Sequence, residues 1–189
     1  MNRLFNPFRY LAGGKALILG IIFIISASLL LYSMGMAQDS YVHIAHTHQS
    51  FVSVLLIQLC WWLFPAIIYY VGGLILSKSK IRIIDVLGTT AFAQLLYIPM
   101  TAPMMLPAVQ QSTALTLQAI QQGMQFNASD MLIIMFYGIW TTLFLILFYV
   151  WNYKAFSVSC NVSGAKAIIY FIIVQIAATI LGNFIPLTQ

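Results

Sequence analysis

Apolar residues run through this chain in five blocks, at about 16–34, 51–76, 83–106, 131–151 and 167–185. Each holds about 20 residues, the length an α-helix needs to cross the hydrocarbon of a bilayer. A segment in lipid must satisfy its own backbone polar groups, so such blocks are expected as helices. The pattern predicts an all-α integral membrane protein, a single domain over 1–189 built as a bundle of five transmembrane helices with short interfacial helices. Leu4, Phe8 and Leu11 recur at helical spacing, and Pro7 suits a first turn, which predicts a short surface helix at the start. Leu117, Ile120 and Met124 recur likewise among six glutamines of residues 108–129, which predicts a second on the opposite face. Asn127, just before Ser129 and Asp130, is placed to cap the fourth helix.

Proline and glycine mark the irregular places. Pro65 is expected to kink the second helix. Pro99, Pro103 and Pro107 follow at four-residue intervals and are expected to break the end of the third, since each lacks the N–H that would bond four residues back. Gly72 and Gly73, and Ala178 with Gly182, give the small surfaces that let helices approach closely.

Charge fixes an orientation. All eight Lys and Arg residues fall on alternating sides of the apolar blocks: Arg3, Arg9 and Lys15, then Lys78, Lys80 and Arg82, then Lys154 and Lys166. Cytoplasmic loops retain such residues, so the N-terminus is expected inside and the C-terminus outside. The 62% apolar and 6% charged composition rules out an ordinary soluble domain. The net charge of +5 is divided among three inner segments, so it points to anionic lipid headgroups on the inner face rather than to nucleic acid. Short loops favour the inner membrane of a bacterium.

Candidate chemistry is sparse. The chain has no Glu and three Asp, and no block holds an ionisable residue near its centre, where catalysts and ion carriers usually keep one. An enzyme is not expected, and no cofactor is implied. Asp85 stands at the start of the third helix, where the helix dipole favours an acid. Weak metal candidates are His43, His46 and His48 in the first outer connection, with the methionines after Met1 all in the outer half. Imidazole and thioether together suit copper or zinc capture. On a regular helix His48 would not share the face of the other two.

Gly72-Gly73, the turn Arg82-Ile83-Ile84-Asp85-Val86-Leu87-Gly88, the prolines from Pro99 to Pro107 and the run Ser163-Gly164-Ala165-Lys166-Ala167 carry a likeness. The chain resembles the Yip family of five-span membrane proteins (the Ypt/Rab-interacting group), in particular its bacterial branch. The resemblance implies the five-span topology and a non-enzymatic scaffold that organises membranes, with a membrane-protein partner or a second copy. The Asp-Leu-Tyr-Gly-Pro motif of eukaryotic members is absent, so no small-GTPase partner follows. The candidate surface for a partner or lipid is Lys78, Lys80, Arg82, Asp85, Lys154 and Lys166. The alternative is a small permease or metal-handling protein using the outer His and Met groups.

Overall fold

The computed structural model describes residues 6–123, 125 and 127–184, the side chains of 181–184 excepted. Arg3, Leu4 and Met124, assigned above to surface segments and helices, lie outside the described residues, as does the packing around Gly182. The long helices are α1 (Gly13–Ser33), α2 (Phe51–Leu76), α3 (Ile83–Ala93), α6 (Ala128–Ser159) and α7 (Ala165–Phe184). Between α3 and α6 come the one-turn helix α4 (Tyr97–Thr101) and α5 (Pro107–Gln122). Among the described residues four apolar helical stretches are long enough to cross a membrane: α1, α2, the run Ile83–Met105 and α6; Ala165–Ile180 of α7 is a shorter apolar stretch.

Local chemistry accounts for the boundaries. Ser50 caps α2 by accepting from the Ser53 amide at 3.3 Å, and Asn127 caps α6 by accepting from Ser129. Pro65 is buried inside α2, and the helix runs through it. A proline there has no amide for the Trp61 carbonyl, a cost met by the surrounding packing.

The third block ends in short helical pieces rather than one regular helix. The chain stays helical past Pro99 and Pro103, through 3-10 turns at Gln94–Leu96 and Ala102–Met105. Pro99 falls in the first turn of α4 and Pro103 near the start of its 3-10 turn, positions where a missing amide costs little. The path changes only at Leu106, whose backbone is extended (φ −74°, ψ 124°), and Pro107 then opens α5. The fourth block also runs further than its apolar stretch. Asn152 donates to the Phe148 carbonyl at 2.9 Å, Ala155 and Phe156 are buried, and α6 continues to Ser159. Lys154 is therefore on a helix, not in a connection.

The closest packing is between α1 and α3. A Cβ on Gly20 would collide with the Ala91 side chain and lie 2.5 Å from its carbonyl carbon. A Cβ on Gly88 would meet the Gly13 carbonyl oxygen and lie 3.0 Å from the Leu17 amide nitrogen. Next to this pair stands α2, tied by Ser28 to Gln58 at 2.6 Å and by Trp62 to Thr90 at 3.1 Å. Trp151 of α6 stacks on Phe92 at 5.8 Å, and α7 lies on α2 through Tyr69, Phe171 and Tyr170.

Two irregular segments enter this bundle. Between α1 and α2 the chain forms a small antiparallel hairpin, β1 (Met36–Gln38) paired with β2 (Ile44–His46), an addition to the all-α expectation. Its turn reaches inward, so that Tyr41 is fully buried against Phe148 of α6 at 5.7 Å. The Tyr41 carbonyl accepts from Gln38 Nε2 at 2.8 Å and from the Tyr97 hydroxyl, satisfying buried backbone that water does not reach. From the other end Phe8 packs edge-on to Trp151 at 5.9 Å. Phe148 and Trp151 are neighbours on α6, about one helical turn apart.

Candidate functional site

The directions of the helices gather the basic residues. The N-termini of α1, α3 and α7 and the C-termini of α2 and α6 meet at one end of the bundle, as the proximity of Gly13 to Asp85 and of Gly73 to Cys160 requires. Arg9, Lys15, Lys78, Lys80, Arg82, Lys154 and Lys166 all lie within about two turns of that end. The three histidines, Asp39 and Asp130 lie toward the opposite one.

Within the basic end the groups play different parts. Arg82 donates to both Asp85 oxygens, at 2.8 and 3.1 Å, a forked pair at the start of α3. That hydrogen bonding, and then the carboxylate charge, holds the Arg82 guanidinium above its usual range. Asp85 also abuts Gly13, whose φ of +65° and lack of a Cβ let α1 start there. Lys154 extends over the neighbouring Tyr153 ring at 5.5 Å. Among the described residues the ion pairs are Arg82–Asp85 and His43–Asp39, so Lys78, Lys80 and Lys166 are left without a carboxylate.

Lys78 and Lys166 come together across a cleft of about 380 Å³, with Ser79, Asn161 and Ser163 on its walls beside Leu76 and Val162. The turn that shapes it is held tightly. Ser157 donates to the Val162 carbonyl at 2.6 Å, Asn161 takes φ 50°, and its amide group donates to Ser79 Oγ at 3.4 Å. Gly164, at φ +81°, then turns the chain into α7.

Gly72 and Gly73 pack against the ring and thiol of Tyr170 and Cys160. A Cβ on Gly72 would strike the Tyr170 ring, and one on Gly73 would lie 2.5 Å from Cys160 Sγ. Cys160 is fully buried, and burial pushes its thiol up to about 11. Ala178 is fully buried too, within the aromatic core.

At the opposite end the imidazoles are separate. His43 Nδ1 lies 2.6 Å from Asp39, while His46 closes the hairpin and His48 follows it in an exposed position. Among the described residues no three His, Cys, Asp or Glu side chains stand close enough to hold a metal ion. Met34, Met36 and Met104 pack with Leu31 and Val54, so these thioethers fill the core around the hairpin. At mid-bundle Gln58 bonds to Ser28, Trp62 to Thr90 and Gln175 to the Tyr69 hydroxyl, while Trp61 Nε1 and Thr141 Oγ1 are buried without a hydrogen-bond partner among the described residues.

No family model, curated protein or solved structure matches this chain. Functional reading therefore rests on the geometry. Sequence reasoning singled out Lys78 and Lys166 for their charge, but it missed that they share a cleft with Asn161 and Ser163. It also missed Gly20 and Gly88, whose signal is a pairing between residues far apart in the chain.

Proposed function

We propose that the chain crosses the membrane five times, with its basic end in the cytoplasm and its C-terminus outside, as a non-enzymatic scaffold of the Yip type. One observation carries this reading: the described cations sit together at one end of an apolar bundle, where an inward-facing surface would need them. Five crossings follow if α7 spans alongside the four longer apolar stretches. Lys78, Lys80 and Arg82 form the exposed edge offered to a membrane-protein partner or a second copy, and the anionic headgroups of a bacterial inner membrane lie against the same edge. The likeness at Arg82–Gly88 and Ser163–Ala167 supports the family assignment. The metal-handling alternative draws less support, because His43 is occupied by Asp39 and Met34, Met36 and Met104 pack in the core.

Two measurements test the reading. In a background lacking Cys60 and Cys160, Thr47→Cys is expected to react with an impermeant maleimide from outside the cell, and Ser163→Cys only after the membrane is opened. Labelling of both from the same side overturns the topology. Crosslinking in native membranes is expected to capture a partner that the triple variant K78Q/K80Q/R82Q loses; unchanged recovery removes that edge as the contact.

A further inference from the structure

We propose that the cleft between Lys78 and Lys166 binds the phosphate of an anionic lipid headgroup. This rests on the orientation proposed above and assigns a ligand to one part of that basic end. The two lysines come from segments far apart in sequence, yet they line the same space of about 380 Å³. Neither has a carboxylate to answer it. Asp85 is held by Arg82, and the other two aspartates are at the far end of the bundle. Two unneutralised cations brought together repel one another unless an anion lies between them.

The remaining walls suit an anion of this kind. Ser79 and Ser163 offer hydroxyl donors, and the cleft ends on the first turn of α7, where backbone amides concentrate positive potential. The residue before that turn is Gly164, which has no side chain to cap those amides. The Val162 carbonyl on the cleft wall is occupied, accepting from Ser157.

The surroundings decide between a lipid and free phosphate. Besides its polar groups the cleft is lined by the apolar Leu76, Val162 and Ala167. On its two flanking helices Ile75 of α2 is 75% exposed and Ile169 of α7 is 58% exposed. These apolar side chains, next to the cationic rim, match the junction of a headgroup with its acyl chains. A soluble phosphate would have no use for them.

The test uses the full chain in nanodiscs of phosphatidylcholine containing a minor fraction of phosphatidylglycerol, with retained lipid counted by native mass spectrometry. Wild type is expected to keep phosphatidylglycerol in preference to phosphatidylcholine. K78Q/K166Q is expected to weaken that retention by about fivefold for each lysine removed. K78R/K166R restores it, and K15Q/K154Q, which removes two cations of the same end outside the cleft, weakens it clearly less than K78Q/K166Q does. Equal loss from both Gln pairs, or no preference in wild type, overturns the proposal. Displacement of the lipid by millimolar inorganic phosphate overturns the choice of a lipid, and its failure to displace supports it. Reaction of Ser163→Cys from outside the cell would remove the orientation itself; cytoplasmic labelling without lipid retention would remove only the cleft assignment.

Discussion

Gly20 and Gly138 are both interior to long helices, and their surroundings give them opposite values. Gly20 lies against the Ala91 backbone, whereas nothing lies within 4 Å of a Cβ built on Gly138. Gly20→Val should therefore destabilise by about 1–3 kcal/mol through forced separation of α1 and α3. Gly138→Ala should stabilise by about 0.5–1 kcal/mol, because alanine restricts the unfolded chain and favours helix. Thermal unfolding of the two variants in one detergent checks the contrast, and a Gly20→Val protein as stable as wild type would contradict the close packing. Cys160 behaves as a buried group despite lying at the end of a helix. With its pKa raised to about 11, the thiol is protonated at neutral pH, and its alkylation should rise only as the pH approaches that value. Rapid maleimide reaction of Cys160 at pH 7 in the folded protein would contradict the burial. These close approaches were hard to read from sequence, since a glycine shows what it permits but not what comes near it. Gly72 and Gly73 stood out as an adjacent pair. Gly20 and Gly88 have no local mark, and only the fold brings them to the same place.

Among the elements, the second block was legible to the residue: 51–76 is both the apolar stretch and α2. The fourth was not, because hydropathy stops near Trp151 while Ala155 and Phe156 continue the buried stripe beside a half-buried Lys154, and the helix runs to Ser159. The proline series pointed to the end of the third block but not to its form, since what a proline costs depends on its place in a turn, and 3-10 segments carry the chain as far as Leu106. The hairpin was invisible. Strands of three residues carry no useful alternation, and nothing in the sequence marks the polar Gln38 and Ser40 as buried, which both are. Its anchoring is specific enough to test. Tyr97→Phe removes one of the two donors to the Tyr41 carbonyl and should cost about 1 kcal/mol, the usual net worth of such a bond. Amide hydrogen exchange over residues 36–46 should quicken while that over α2 remains unchanged; equal acceleration in both would mean that the hydroxyl supports the whole bundle.

For the whole molecule, charge and hydropathy together gave the helices and the clustering of cations at one end. They could not give the cleft, which needs the 77–82 connection and the 160–164 turn to meet. The same scale decides which exposed apolar residues face lipid. Ile146 of α6 is 57% exposed close to Phe148, at the level of the bundle centre, whereas Leu117 of α5 is 50% exposed on a helix full of glutamines. Ile146→Arg should oppose insertion by about 2.5–3.5 kcal/mol, and Leu117→Arg by far less. The yield of each variant resistant to alkaline extraction from membranes measures this. Similar yields would place α5 at the same depth as α6.

The inward turn of the hairpin sets an order of events during synthesis. Tyr41 emerges early, but the ring it rests on belongs to Phe148, more than a hundred residues later. At ordinary translation speeds that interval is about 5–20 s. Throughout it, the carbonyl and phenol of Tyr41 have no finished socket and must wait in water, so this segment takes its seat only after the fourth long helix arrives.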